Sequence, residues 1–228
     1  MHLLLLHGAI GAADQLTTLA AQLGKDFTVH NLDLPGHGSR PFSGDRYSIS
    51  LFAKDVLSYM DDLKLSQVAI FGYSMGGYVG MYLARHHSSR ISGVVTLATK
   101  FRWDPAIAQR ETQMINPDKI QEKVPAFAQA LHQRHQPKDW KMVLQRTAGL
   151  LKDLGDMPLL TPEICSGITT PVLLLLGDRD KMVSLDETLE TYKALPNAQW
   201  GILPATAHPI EQVKTDLLAC HIRAFYRA

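Results

Sequence analysis

Residues 68–84, VAIFGYSMGGYVGMYLA, place glycines and a single serine inside a run that is otherwise almost entirely apolar. We interpret this run as a buried strand that turns directly into a buried helix. Small residues two positions before and two after the turning residue relieve the crowding of such a turn, and Gly72 and Gly76 occupy these positions. Ser74, at the apex, is therefore expected to have a strained backbone and to project its hydroxyl from the sheet edge at the start of the helix.

Other short apolar runs occur on both sides of this stretch, and most lack the alternation of apolar and polar residues that is typical of a half-exposed strand. Segments with a helical spacing of apolar residues separate them. The apolar runs lie at 2–7, 27–32, 67–72, 91–98, 171–177 and 198–203, and the helical segments lie at 12–23, 50–63, 75–86, 184–195 and 210–226. This alternation predicts an α/β fold with a doubly wound, mostly parallel sheet of about six strands.

One region interrupts the alternation of strand and helix. From about Phe101 to Thr161 the chain has no strand-like run, and prolines punctuate residues with a helical pattern. We interpret residues 101–160 as a helical lid inserted into an α/β core formed by residues 1–100 and 161–228. Two interpretations remain open for its large apolar residues, which either line a ligand cavity or pack on the core: Trp103, Met114, Phe127, Trp140 and Met142.

The overall composition restricts the possible partners. A chain of 228 residues suits a single core, and 23 Lys and Arg against 22 Asp and Glu give a net charge of +1, so no global field would attract nucleic acid or an anionic membrane. Two cysteines, Cys165 and Cys220, are too few for a disulfide framework or a cysteine zinc site. The opening MHLLLLHG lacks a basic leader and is interpreted as a strand, and no run is long enough to span a bilayer. We expect a cytoplasmic protein.

A serine alcohol needs a base to accept its proton and an acid group to orient that base. The strand at 171–177 is followed by Asp178 and Asp180, and the next strand is followed by His208. The order Ser, Asp, His matches one known arrangement of such triads. The backbone N–H of Met75, in the first helical turn, would point toward a developing oxyanion. A phosphate-binding loop is disfavoured, because neither Gly-x-Gly-x-x-Gly nor Gly-Lys-Ser/Thr is present.

These motifs together resemble the α/β-hydrolase family over nearly the whole chain. The resemblance is carried by LLLLHGAIG at the start, LDLPGHGSR at 32–40, GYSMGG at 72–77, LLLLGDRDKMV at 173–183 and AHP at 207–209. It implies that Asp180 is the acid rather than Asp178, because Gly-x-x-Asp-x-x-Val selects Asp180. It also implies that Ala9 supplies the second oxyanion N–H. The chain departs from many relatives in lacking an extra pair of strands before the His-Gly turn and in having a shorter segment after His208.

The remaining histidines have structural interpretations. His7 is expected to brace the oxyanion turn, and the role that the family resemblance implies for His37 is also structural. We expect four further histidines to be exposed near helix ends: His86, His87, His132 and His135.

The expected function is that of a serine hydrolase acting on a small-molecule ester through Ser74, His208 and Asp180, without a metal or organic cofactor. Alternatives are thioester cleavage, carbon–carbon bond cleavage or a lyase step by the same triad, or a receptor-like protein that binds a ligand with little turnover. The oligomeric state is not predicted.

Overall fold

A computed structural model describes residues 1–227 and contains one sheet of six strands, all of them parallel. The strands are β1 (His2–Leu6), β2 (Thr28–Leu32), β3 (Val68–Tyr73), β4 (Ile91–Leu97), β5 (Val172–Gly177) and β6 (Ala198–Leu203). Their spatial order is β2-β1-β3-β4-β5-β6. The prediction of a doubly wound α/β sheet is confirmed.

Ten α-helices accompany the sheet in the described residues. They are α1 (Thr17–Leu23), α2 (Ile49–Asp62), α3 (Met75–His86), α4 (Pro105–Met114), α5 (Pro117–Lys123), α6 (Pro125–His135), α7 (Trp140–Asp156), α8 (Pro162–Cys165), α9 (Leu185–Ala194) and α10 (Thr215–Arg227). Local sequence fixes several of their starts. Ser184 and Glu187 form a reciprocal capping box at the start of α9, and Asp104 caps α4 with Pro105 in its first turn.

Both faces of the four central strands β1, β3, β4 and β5 are buried, which explains why these strands are almost continuously apolar. The edge strands β2 and β6 are partly exposed. In β1, Leu3 and Leu5 belong to a core cluster with α1 and α10, whereas Leu4 and Leu6 belong to a second cluster with α2 and α3. All four leucines are fully buried. Side chains that alternate between two helical layers require apolar residues at every position.

The chain reverses its direction of winding between β1 and β3. β2 lies on one side of β1, and the chain then returns to add β3 and the later strands on the other side. In such sheets ligands bind outside the carboxyl ends of the strands at this reversal. Ala9 follows β1 and Ser74 follows β3, so both lie beside this switch point.

Helices α4–α7, here called the inserted helices, lie between β4 and β5 in the chain. Helix α7 is amphipathic and buries Val143, Leu144, Leu150 and Leu154. These residues belong to the same core cluster as α2 and α3. The division into a core (1–100 and 161–228) and a lid (101–160) remains a prediction.

Two predicted helices have different boundaries from those expected. The segment 12–23 begins as a 3-10 turn over Ala13–Leu16 before α1. The segment 210–226 is also divided, because Ile210–Gln212 forms a 3-10 turn and α10 begins only at Thr215. Val213 separates these two parts with an extended backbone, and its buried side chain anchors the break. No helix among residues 1–227 is both long and apolar enough to cross a bilayer.

Candidate active site

Ser74 occupies a sharp turn between β3 and α3. Its φ of 51° and ψ of −115° are unusual for a residue with a side chain. A Cβ on Gly72 would overlap the backbone of Gly76, and a Cβ on Gly76 would overlap the carbonyl oxygen of Leu6. Glycine at both positions therefore allows strand and helix to meet closely enough to hold Ser74 in this conformation.

Asp180 and His208 form a hydrogen-bonded pair at the neighbouring strand ends. The distance from His208 Nδ1 to Asp180 Oδ2 is 2.8 Å. The other carboxylate oxygen accepts the N–H groups of Met182 at 2.8 Å and Val183 at 2.9 Å. Burial tends to raise the pKa of Asp180, but His208 and these N–H groups hold that pKa below its ordinary value. An ionised Asp180 therefore accepts the Nδ1–H proton, which leaves Nε2 of His208 as an acceptor.

Two contacts hold the loop that carries His208. The Tyr73 hydroxyl donates to the carbonyl oxygen of His208 at 2.9 Å. Asp178, the alternative acid, accepts the N–H of Thr206 at 3.0 Å. Its carboxylate therefore fastens the loop of His208, whereas Asp180 binds the imidazole itself.

Ala9 and Met75 both line the cavity that Ser74 faces. Met75 is the first residue of α3, where N–H groups lack an acceptor within the helix. Ala9 belongs to a turn closed by the N–H of Gly11, which donates to the carbonyl of Gly8 at 3.1 Å. His7 braces this turn because its Nδ1 donates to the Gly8 carbonyl at 2.8 Å, while its Nε2 accepts an N–H from the loop after β2.

The cavity has a volume of about 290 Å³ and contains Ser74 and His208 together. Its wall is formed by the strand ends on one side and largely by apolar residues of the inserted helices on the other. Of the five large apolar residues that sequence left open, Trp103, Met114 and Phe127 line the cavity. Trp140 is instead buried in the core cluster, and Met142 lies outside the cavity with a partly exposed side chain.

Two clusters of charged residues border the cavity. Lys100 and Glu111 lie 3.5 Å apart, and Lys100 also donates to the carbonyl of Met182 in the Asp180 loop. In the second cluster Arg134 contacts Asp14 at 3.4 Å and Glu211 at 3.6 Å. Sequence reasoning missed Lys100 and Arg134, because neither belongs to a motif and both depend on how the inserted helices return to the sheet.

The prediction that His135 is exposed is wrong, whereas His86, His87 and His132 are exposed as expected. His135 is completely buried, and its Nε2 donates to the carbonyl of Ile10 at 3.0 Å while Nδ1 accepts the N–H of Gly38 at 3.2 Å. The side chain thus joins α6 to the turn after β1. His37 is also buried, stacked on Tyr47.

The described residues contain no group of three or more His, Cys, Asp or Glu side chains that could hold a metal ion. The arrangement can instead deliver a serine oxygen, a proton acceptor and backbone N–H donors to one bound carbonyl group. These are the components of acyl-transfer chemistry.

Comparison with known proteins identifies the family to which this fold belongs. Residues 1–151 match the family described as alpha/beta hydrolase fold. The chain is 29% identical to a pimeloyl-[acyl-carrier protein] methyl ester esterase of Vibrio atlanticus (strain LGP32), over 98% of this chain and 93% of the relative. It is 28% identical to a Bacillus subtilis (strain 168) protein provisionally named 2-succinyl-6-hydroxy-2,4-cyclohexadiene-1-carboxylate synthase, over 90% and 82% of the two chains. The enol-lactonase of Burkholderia xenovorans LB400 superposes with a TM-score of 0.81 at 21% identity, covering 100% of this chain and 91% of the other.

Proposed function

Because this chain is an enzyme of the alpha/beta hydrolase fold family, we propose that it is a serine hydrolase that cleaves a small-molecule ester through Ser74, His208 and Asp180. The observation that carries this proposal is the positive φ of Ser74 in a cavity shared with His208, whose imidazole is bonded to a buried carboxylate. A strained serine in a cavity that an oriented imidazole also lines has no evident structural purpose.

The proposed mechanism depends on the proton that His208 Nε2 accepts and then returns. Ser74 Oγ attacks the ester carbonyl carbon while His208 Nε2 takes the hydroxyl proton. Asp180 remains ionised and stabilises the imidazolium through Nδ1–H. The tetrahedral intermediate then expels the alcohol, which receives the proton from Nε2. Water attacks the acyl-enzyme by the same route, giving the carboxylic acid and regenerating Ser74.

The Ala9 and Met75 N–H groups are proposed to donate to the oxyanion of the tetrahedral intermediate. Each donor that is already aimed at the developing charge contributes about 3 kcal/mol of transition-state stabilisation. Both donors belong to the backbone, so their side chains do not limit this role.

The inserted helices are proposed to act as a lid that sets specificity. They supply Met114, Ile115 and Phe127 to the cavity wall, which favours a substrate with an apolar segment next to the scissile bond. The cavity suits a small molecule. A cytoplasmic location is proposed on the basis of two free cysteines, Cys165 and Cys220, and no organic cofactor or metal is required.

A second candidate is a lyase step in which Ser74, deprotonated by His208, removes a proton from carbon. The name of the Bacillus subtilis relative favours this possibility, since a synthase is not a hydrolase by name. In that reaction His208 accepts the proton of Ser74 while the serine oxygen takes a carbon-bound proton of the substrate. The C–H electron pair forms a double bond as the group on the adjacent carbon leaves, this group receives the proton from His208, and no acyl-enzyme forms.

A fluorophosphonate probe followed by peptide mapping tests the proposed nucleophile. We expect labelling of Ser74 in the native chain and none in Ser74→Ala. A panel of p-nitrophenyl esters tests turnover, which Ser74→Ala should abolish. Labelling that persists in Ser74→Ala contradicts the assignment. Native protein that is labelled but turns over no ester supports the lyase or receptor-like alternatives.

A further inference from the structure

Arg134 differs from the other cation that lines the cavity, Lys100. Lys100 is held by the Met182 carbonyl and by the nearly buried carboxylates Glu111 and Glu187. Arg134 is only 15% exposed, yet its partners Asp14 and Glu211 are 60% and 56% exposed. The ammonium group of Lys100 is therefore held by buried partners within the protein. Arg134 instead faces carboxylates that can turn toward water.

The ion pairs of Arg134 are also long. The distances of 3.4 Å to Asp14 and 3.6 Å to Glu211 exceed the 2.7–2.9 Å that is usual for a charge-assisted N–H···O bond. By contrast, Arg40 binds both oxygens of Asp55 at 2.5 and 2.6 Å. A guanidinium has five N–H donors, and those of Arg134 are far from saturated by such contacts.

Arg134 and two neighbours separate the catalytic cavity from an outer pocket. Gln15, Arg134 and Glu211 line both spaces, and Gln15 Nε2 donates to Glu211 Oε1 at 2.7 Å. The outer pocket has a volume of about 350 Å³ and opens beside α1 and α10. A substrate group that reached these three side chains could bind the Arg134 guanidinium in the position that Glu211 now occupies.

We propose that Arg134 is a specificity-determining residue that binds a carboxylate of the substrate, at the end remote from the scissile ester, after displacing the Glu211 carboxylate. This inference rests on the proposed esterase function. Glu211 and Asp14 together give the Arg134 cluster a surplus of one negative charge, so an additional carboxylate can enter only if one of them leaves. Glu211 can do so, because its side chain is already more than half exposed.

The position of Arg134 is suited to this role. The adjacent His135 is locked to Ile10 and Gly38, which fixes the end of α6 against the turn after β1. Arg134 is thereby held beside the segment that contains Ala9. A planar guanidinium at a fixed position can bind a carboxylate through two parallel hydrogen bonds, and lysine cannot reproduce this geometry.

Matched ester pairs test the proposal. Mono-p-nitrophenyl glutarate against p-nitrophenyl valerate places the carboxylate on the acyl side, and 4-acetoxybenzoate against its methyl ester places it on the alcohol side. We expect the native enzyme to prefer the anionic member of one pair. In Arg134→Gln this preference should fall by roughly 10- to 100-fold, mainly through KM, while the neutral member is little affected. Arg134→Lys should recover only part of it.

Two further variants distinguish recognition from a structural role. Glu211→Gln should raise the anionic preference several-fold, because it removes the competing charge. Arg46→Gln removes an exposed ion pair with Asp153 and should leave the preference unchanged. The proposal is overturned if Arg134→Gln lowers kcat/KM equally for both members of each pair, or if the native enzyme prefers the neutral esters.

A binding measurement keeps this test separate from the proposed function. Glutarate should raise the melting temperature of the native protein but not of Arg134→Gln, and dimethyl glutarate should raise neither. Stabilisation by glutarate without any ester turnover would support the role of Arg134 while contradicting the esterase proposal. Ester turnover that depends on Ser74, with no charge preference and no stabilisation by glutarate, would support the esterase proposal and contradict the role of Arg134.

Discussion

The carboxyl edge of the sheet and the inserted helices border the same cavity but are held in place differently. At the sheet edge, backbone meets backbone, because a Cβ on Gly72 or Gly76 would overlap main-chain atoms. The inserted helices expose Met114 and Phe127 and reach the cavity through side chains. We therefore propose that the rigid sheet edge carries the chemistry, whereas the inserted helices set a selectivity that a single substitution can alter.

The largest effect should follow from removing the acid at the sheet edge. Asp180→Asn should lower kcat by roughly 10⁴-fold, because asparagine no longer holds the imidazole in the tautomer with an acceptor at Nε2. Asp178→Asn is the matched control and should stay within about threefold of native kcat, since an amide oxygen can still accept the Thr206 N–H. Steady-state kinetics on one ester measures both. Equal losses in the two variants would contradict the assignment of Asp180.

The steric constraint at the sheet edge can be compared with that in α7 by adding one methyl group to a glycine in each region. Gly76→Ala should lower the free energy of unfolding by about 3 kcal/mol, because its Cβ meets the carbonyl oxygens of Leu6 and His7. Gly149→Ala in α7 has open space around its Cβ and should raise stability by about 0.5–1 kcal/mol. Urea unfolding measures both changes. A tolerated Gly76→Ala would show that the turn at Ser74 is not sterically enforced.

The contact that His135 makes between α6 and the turn after β1 should weaken in acid. Burial lowers the pKa of His135 to about 4, against an ordinary value of 6.5. The unfolded chain therefore binds more protons between these values, so stability is greatest above pH 6.5 and falls as the pH decreases toward 4. This residue accounts for a loss on the order of 3 kcal/mol.

Urea unfolding across this pH range measures the effect. In His135→Gln the decline should be shallower, although the protein is less stable at neutral pH. His132→Gln, on the exposed face of the same helix, should follow the native curve. A native stability that is flat from pH 6.5 to 4 would contradict the proposed neutral state of His135.

The smallest effect concerns the cavity wall of the inserted helices. Phe127→Ala should change the free energy of unfolding by less than about 1 kcal/mol, because the side chain is already 39% exposed. It should raise KM for alkyl esters several-fold, because Phe127 lines the cavity. Met142→Ala is equally exposed but lies outside the cavity and should leave KM unchanged. Identical KM values in the two variants would show that Phe127 does not contribute to substrate binding.

Features encoded by neighbouring residues could be predicted, whereas features formed by distant ones could not. The doubly wound sheet follows from apolar runs, and the turn at Ser74 follows from glycines only two residues away. The burial of His135 depends on Ile10 and Gly38, about 100 residues earlier, and the helical pattern of α6 gives no sign of either contact. Arg134 belongs to the same class, since Asp14 and Glu211 reach it from opposite ends of the chain.

The most direct test is intact-mass analysis of the enzyme quenched within milliseconds of mixing with a p-nitrophenyl ester, followed by peptide mapping. We predict that the mass of one acyl group appears on the peptide containing Ser74 and that it is absent from Ser74→Ala. Steady turnover with an acyl group on another residue, or with the rate unchanged in Ser74→Ala, would contradict the central claim that Ser74 is the nucleophile.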